Sequence, residues 1–442
     1  MAWAWVPILY FMEGVPYVVI VNLSAIMYTD LGISPKNMAI WTSLITWPWV
    51  VKMFWGPLVD GVGTRRQWII ATQVLMAVGL VLVGMSLKLP LFFVISIAIL
   101  GVMAILSATH DIAADGFYLL ALGKRDQAFF VGIRSTAYRL AMFFGSGALA
   151  ILAGRLIKDA GWSANQAWAS ALVAAGVLYI VLWVVGMAIL PRPQQDIRGG
   201  VRSASGQIPF LQAWITYFGQ DKMLVILAFI MFYRLGESLI LKMASPFLMQ
   251  EVAKGGLALS SDQVGVIQGT IGIAALVLGG ILGGFAIAVF GLKKCLWPMV
   301  LSLNIPCLGY IWAAMTLPGL ADATRYWGAT LVMGIDYFGY GFGFAAYMVY
   351  LMFVSQRHGS YQTSHYAVST GLMALSVMLA GIASGYMQEW LGYRDFFIAA
   401  CVLTIPGMIT LLFIPLDENT GRRTPKAIQA TDEESGFRKK RL

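Results

Sequence analysis

The segment Gly56-Pro57-Leu58-Val59-Asp60-Gly61-Val62-Gly63-Thr64-Arg65-Arg66 decides how this chain is read. It joins two apolar runs, 38–59 and 68–86. Gly56 and Gly63 permit a tight turn and close helix approach. Asp60 can cap the following helix or pair with a basic group. Arg65 and Arg66 can face lipid phosphates or neighbouring helix ends. The pattern returns 228 residues later, where Gly284, Gly291, Lys293 and Lys294 occupy the places of Gly56, Gly63, Arg65 and Arg66. Ala288 stands where Asp60 would be. A basic turn repeated between apolar runs predicts a chain of two related halves.

The apolar runs set the class. Of 442 residues, 59% are hydrophobic and only 12% charged, with a mean hydropathy of +0.76. A soluble domain carries roughly 25% charged residues, so a soluble enzyme is excluded. Disorder is excluded as well, because it needs low hydrophobicity and high net charge. Runs of spanning length cover 3–28, 38–59, 68–86, 91–120, 128–154, 165–189, 222–248, 263–289, 295–316, 326–355, 362–386 and 396–415. A membrane helix needs ~20 apolar residues, so twelve helices are expected. The runs do not alternate, as strands of a β-barrel would.

The loops orient the chain. Its net charge is +9, and this excess reads as basic loops rather than a nucleic-acid surface. Eighteen Lys and Arg fall on the side of the N-terminus, seven of them in the tail, against seven on the other side. The positive-inside bias then puts both termini in the cytoplasm. The first apolar run lacks a basic leader and a small-residue cleavage site, and reads as a retained helix. Cys295, Cys307 and Cys401 lie in apolar segments and show neither a disulfide framework nor metal-ligand spacing.

The expected domains are a six-helix bundle over 1–190, a cytoplasmic linker over 191–221, a second bundle over 222–416 and a cytoplasmic tail over 417–442. The linker begins with Pro, Gly and Ser. It continues from Ile208 to Gly219 as an apolar, aromatic stretch too short to span, which suits an interfacial helix.

Five basic and five acidic residues sit inside the spans: Lys52, Arg134, Arg139, Arg234 and Lys242, with Glu13, Asp111, Asp115, Glu237 and Asp336. A charge at bilayer centre costs about 2.5–3.5 kcal/mol on insertion scales, so such residues face the bundle interior, paired or functional. Asp115 and Arg134 lie equally far from the turn near Lys124, roughly 14 Å at 1.5 Å per residue. Asp111 and Arg139 share a level roughly 20 Å in, with Lys52 close by. Asp111 and Asp115 share one helix face, as do Arg134 and Tyr138. Arg134 and Arg139 diverge by ~140°, so only one of them should enter a cavity. Structural ion pairs and a substrate-anion and proton site both fit this set. Arg234 and Glu237 share a face in the seventh span, and Glu13 lies at a similar depth. Glu13 or Glu237 is a candidate proton carrier, because burial disfavours a charged carboxylate. Lys242 suits snorkelling toward an interface. Asp336 sits in a Gly- and Tyr-rich helix that permits close packing. His110 reads as a packed histidine and His365 as packed or interfacial. Trp41, Trp47, Trp49 and Trp55 suit either an interface or a substrate ring.

Two parallel six-helix repeats with a basic linker describe the major facilitator architecture. The expected fold class is therefore an all-α membrane protein of that fold, and the Gly56–Arg66 segment resembles its loop signature, with Gly61 in place of the usual basic residue. More narrowly, Val51-Lys52-Met53-Phe54-Trp55-Gly56-Pro57-Leu58-Val59-Asp60, then Arg65-Arg66-Gln67-Trp68, resembles AmpG-type permeases. So do Ser107-Ala108-Thr109-His110-Asp111-Ile112-Ala113-Ala114-Asp115-Gly116 and Tyr138-Arg139-Leu140. The likeness is dense over 8–145 and thin beyond. Phe117 to Leu120 are less polar than the matching stretch of muropeptide permeases.

That branch groups muropeptide importers, acetyl-CoA transporters and some siderophore importers. The resemblance implies a proton-coupled importer of an anionic metabolite, foremost an anhydro-muropeptide. Substrate-binding candidates are Lys52, Arg134, Tyr138, Arg139 and Arg234. Proton-coupling candidates are Glu13, Asp111, Asp115, Glu237 and Asp336. The conformational motif is Gly56, Asp60, Gly63, Arg65 and Arg66. No cofactor and no metal are expected, the proton gradient being the energy source. The expected partners are a small anionic substrate and the lipid bilayer, without nucleic acid, for a monomeric chain. A siderophore or acyl-CoA carrier is the alternative. A drug exporter is disfavoured because Gly145-Ser146-Gly147 has no proline where exporters carry a Gly-Pro motif. A membrane-embedded enzyme is disfavoured because three histidines form no nucleophile–base cluster.

Overall fold

The computed structural model describes residues 2–55, 59, 62–122, 124–194, 196, 210–357 and 362–416, and among these it is helical throughout, without strands. Ten helical segments are long and apolar enough to cross a membrane. Two features bring them to twelve. Gly392, at φ 70°, turns the backbone inside Gln362–Val402 and divides one continuous segment into two helices. The second run falls short of a continuous span because it breaks into Pro35–Leu44, Trp47–Val51 and Lys52–Phe54, with Pro48 near the first break. Proline lacks the N–H that a continuing helix needs.

The spans are α1 Ala2–Asp30, α2 35–54, α3 Arg65–Ser86, α4 Phe92–Ala121, α5 124–158 and α6 Ala164–Ile189 in the first half. The second half has α7 Met223–Met249, α8 Ser261–Phe290, α9 Leu292–Gly319, α10 Asp322–Gln356, α11 362–391 and α12 393–410. A linker helix, Phe210–Phe218, lies between the halves and carries a buried Tyr217 bonded to Ser369 of α11 at 2.8 Å. His365 of α11 is fully buried and meets Thr216 of the linker helix at 3.0 Å.

Local chemistry sets the helix starts. Thr64 caps α3 and Ser163 caps α6, each in a reciprocal capping box with a glutamine three residues on. This satisfies backbone N–H groups that otherwise point into a water-poor region. Asp196 adds to the α3 cap, its carboxylate accepting from the N–H of Arg65 at 2.8 Å and of Arg66 at 3.0 Å. Arg66 donates in turn to the carbonyls of Met187 and Leu190 at the end of α6. Gly63 has φ 79°, a conformation that favours glycine. Gly56 and Asp60 lie outside the described residues.

Helices pack closely where glycines face backbone. A Cβ at Gly279 of α8 would collide with the Phe338 carbonyl of α10. The halves meet chiefly along two helix pairs, α2 on α11 and α5 on α8, and the end of α1 also packs on α7. Both pairs close at the end of the molecule far from the Arg65–Arg66 loop. There Lys36 of α2 pairs with Glu389 of α11 at 2.7 Å. Asp30 at the end of α1 accepts from Trp168 at 2.7 Å and from Ser261 of α8 at 3.1 Å. Gly147 of α5 and Gly269 of α8 lie backbone to backbone.

The cysteines depart from expectation. Cys307 of α9 and Cys401 of α12 form a disulfide with Cα atoms 5.8 Å apart. They are 94 residues apart in sequence, so only the packing of α9 beside α12 brings them together. Cys295 is free and buried.

Overpacking a tight helix contact costs about 1–3 kcal/mol. Gly279→Leu should therefore lower the thermal midpoint of the detergent-purified protein by several degrees, whereas Gly284→Leu, whose Cβ position faces open space, should leave it unchanged.

Candidate functional site

A cavity of about 230 Å³ lies between the halves, lined by Glu13 and Tyr17 of α1, Trp49 and Lys52 of α2, Asp111 of α4 and Tyr138 of α5. Thr370 and Met373 of α11 close it from the second half. The helices meet here for simple steric reasons. Gly14 of α1 lets α5 approach, since a Cβ there would lie 2.6 Å from that of Ala141 and 3.3 Å from the Tyr138 ring. Trp49 packs edge-on against Tyr17, with ring centroids 5.1 Å apart.

Three carboxyl groups converge here, Glu13 and Asp111 at the cavity wall and Asp115 beside them. Glu13, Asp111 and Asp115 each place an oxygen within 4.8 Å of the other two. Such a trio could also hold a cation, but two of its members already face side-chain cations. Lys52 pairs with Asp111. Arg134 pairs with Asp115 at 2.7 Å and stacks over the Tyr10 ring at 4.3 Å. Tyr10 also donates to Asp115 at 3.3 Å. Glu13 is buried, and its Oε2 has no hydrogen-bond partner.

Lys52 and Asp111 line the cavity, with side chains 34% and 18% exposed. In the second half Arg234 and Glu237 form a drier pair at 2.9 Å, with side chains 7% and 3% exposed. The guanidinium of Arg234 lies 4.8 Å from the Tyr340 ring centre and 4.8 Å from that of Phe344. Asp336 is buried and accepts from Tyr310 of α9 at 2.9 Å. Its carboxyl therefore points across the second bundle.

Ten charges thus sort into three pairs and four single groups. Among the described residues Glu13 and Asp336 lack a cation within 4.0 Å, and Arg139 and Lys242 lack a carboxylate. Arg134 and Arg139 diverge: the first turns to Asp115, the second toward α8 near Gly280. Asp111 and Arg139 share a level but do not meet. Lys242, which suits snorkelling by sequence, lines an internal chamber instead.

Of the tryptophans, Trp49 enters the cavity, while Trp41 and Trp47 are exposed. His110 is fully buried and bonds Gln73 at 3.1 Å. Tyr17, Thr370 and Met373 are lining residues that a search limited to charge does not find. Arg65 crosses the place where a Cβ on Gly116 of α4 would stand, which ties the basic loop to the helix bearing Asp111 and Asp115.

The two kinds of pair respond differently to cutting. Removing one member of a buried pair leaves an uncompensated charge and costs about 3–5 kcal/mol. Arg234→Met should therefore destabilise the protein strongly in thermal unfolding, and Arg234→Met with Glu237→Gln should recover most of the loss. Lys52→Met should destabilise less, because water reaches its partner.

The sequence profile of the Major Facilitator Superfamily matches residues 8–369. An uncharacterized protein of Haemophilus influenzae is 25% identical over 427 residues, covering 93% of this chain and 94% of that protein. The anhydromuropeptide permease of Escherichia coli is 25% identical over 411 residues, covering 92% of this chain and 78% of the permease. Among solved structures, a D-xylose-proton symporter superposes with a TM-score of 0.70 at 12% identity, covering 95% of this chain and 98% of the symporter. A likeness at that identity speaks for the fold alone. Twelve helices in two six-helix repeats, a cavity between them and a profile match over most of the chain identify it as an integral membrane transporter of the Major Facilitator Superfamily.

Proposed function

We propose that this transporter is a proton-coupled importer of an anionic cell-wall fragment of the anhydro-muropeptide class. It would act in the bacterial inner membrane, with both termini in the cytoplasm. The observation that carries the proposal is the charge imbalance at the cavity wall. Three carboxyl groups, Glu13, Asp111 and Asp115, face two cations, Lys52 and Arg134. With all five ionised the cluster is one negative charge in excess. Away from bulk water such an excess is strongly unfavourable, and one proton removes it. Glu13 is the acid without a cation, so it is the group assigned that proton.

Coupling follows from competition. Asp111 and an incoming substrate carboxylate are both ligands for Lys52. When the substrate takes Lys52, Asp111 loses its partner, and the proton on Glu13 offsets the added negative charge. Substrate and proton therefore favour each other's binding, as a symporter requires. Exchange between the two faces needs one further condition, that substrate and proton together bind the two conformations differently. The Lys36–Glu389 pair and the Gly147–Gly269 contact are the closures that must open at the far end. The substrate class is supported by the likeness to the anhydromuropeptide permease and by Lys52 at the cavity wall.

The test is uptake by proteoliposomes under an imposed pH gradient, with an anhydro-muropeptide, a ferric siderophore and acetyl-CoA in parallel. Muropeptide should accumulate only with the gradient. Transport of either rival without the muropeptide overturns the substrate assignment. Glu13→Gln, folded and inserted normally, should abolish accumulation yet retain exchange of labelled for unlabelled muropeptide at equal pH. Gradient-driven accumulation by that variant at the normal rate would remove Glu13 from coupling.

A further inference from the structure

A second chamber lies about two helical turns farther from the Arg65–Arg66 loop along α1 and α2. Its volume is about 80 Å³. At roughly 10–15 Å³ per water-sized group, it takes about five to eight such groups, enough for a carboxylate and the hydroxyls beside it. Both halves contribute walls: Asn22 from α1, Ser43 from α2, Ser146 from α5, Lys242 and Ser245 from α7, Gln268 from α8. None of the acids in the charged cavity reaches it.

Three observations mark this chamber as built for a ligand. First, three helices widen into π-helical turns here: Val19–Leu23 in α1, Phe143–Leu149 in α5 and Gly265–Gly272 in α8. Each widened turn supplies one polar lining residue, Asn22, Ser146 and Gln268 respectively. Single π-turns are less stable than the α-helix they interrupt and recur at functional sites. Second, the hydrogen-bonding groups are incompletely used. Ser146 is 3% exposed, and its Oγ has no partner. Ser245 donates to Gln268 Oε1 at 3.0 Å, so Gln268 presents its amide N–H groups to the chamber. Third, Lys242 lines the chamber and has no carboxylate within 4.0 Å among the described residues. Gly381 of α11 lets Ser43 of α2 pack closely beside Lys242, because a Cβ there would collide with Ser43 Oγ.

An unpaired ammonium within a membrane-spanning bundle is unfavourable until an anion meets it. Hydroxyl and amide groups around that ammonium match a ligand with several hydroxyls. We propose that the chamber is a binding subsite for a hydroxylated ring bearing a carboxylate. Lys242 takes the carboxylate, and Asn22, Ser146 and Gln268 take ring hydroxyls or an N-acyl group. The assignment rests on the transport function proposed above and names the portion of the substrate held beyond the charged cavity. Lys52 and Lys242 would then hold two different parts of one long ligand, one at each level.

The experiment uses the full chain purified in detergent, with binding read by equilibrium dialysis of labelled anhydro-N-acetylmuramic acid and, separately, of glucuronate. Lys242→Gln and Gln268→Ala should each weaken binding of both probes by about tenfold or more, the loss of a hydrogen bond to a charged group or of a buried polar partner. Lys242→Arg should keep most of the affinity, and each variant's gel-filtration profile reports its folding. Wild-type affinity in folded Lys242→Gln and Gln268→Ala overturns the subsite. So does absence of sugar-acid binding to a wild-type protein that takes up muropeptide, and in that case the transport proposal stands. Sugar-acid binding that the two variants weaken, in a protein that takes up no muropeptide, keeps the subsite and removes the muropeptide assignment. No binding of either probe and no muropeptide uptake overturns both.

Discussion

The constraint on which the structure depends is the penalty for charge in a medium without water. Ten charged side chains lie deep within the spans, and each must find a counter-charge, water or a ligand. Three pairs meet that requirement inside the protein: Lys52 with Asp111, Arg134 with Asp115, and Arg234 with Glu237. The pairs also hold helices in place. The first two bind α2 and α5 to α4, and the third stiffens the break in α7 at Arg234, where the helix restarts at Leu235. Among the described residues four groups stay without an ionic partner, Glu13, Asp336, Arg139 and Lys242, and two of them line the space between the halves. That asymmetry gives a transporter its opportunity, because an unpaired group is one whose energy a proton or substrate can change.

Around these charges the helices are brought together by absence of side chains. Lipid supplies no hydrophobic drive between helices, so association relies on close packing. Gly147 against Gly269, Gly279 against the Phe338 carbonyl and Gly14 against Ala141 show that packing at three places. The π-helical turns of α1, α5 and α8 run the other way, widening helices at the level where the inner chamber opens. The Gly147–Gly269 contact lies within two of these turns, so the halves touch directly beside the chamber.

Much of this was legible in the chain. The repeated basic turn at Gly56–Arg66 and Gly284–Lys294 implied two halves. Helix rise alone put Arg134 level with Asp115 and Lys52 near Asp111, and these groups do meet. The same arithmetic put Arg139 level with Asp111, which it does not touch, because depth is one coordinate and azimuth is another. Asn22, Ser146 and Gln268 carry no charge, so depth and charge alone assign them no binding role. A scan for amides and hydroxyls inside apolar runs would have found them, although nothing local announces the π-turns that aim them. Cys307 and Cys401 were separated by 94 residues, and no spacing rule joins them.

The sequence by itself determined the solvent, the number of spans, the repeat and the depth of each buried charge. These properties follow from composition and from a constant rise per residue, and both are local. Tertiary structure alone decided which charges pair, which stand alone and which face the space between the halves. That outcome depends on how each helix is rotated and where glycine lets another helix approach, and rotation is set by the neighbours. Lys242 shows the difference: its position along α7 was readable, but only the packing of both halves around it made it the cation of an internal chamber rather than an interfacial lysine.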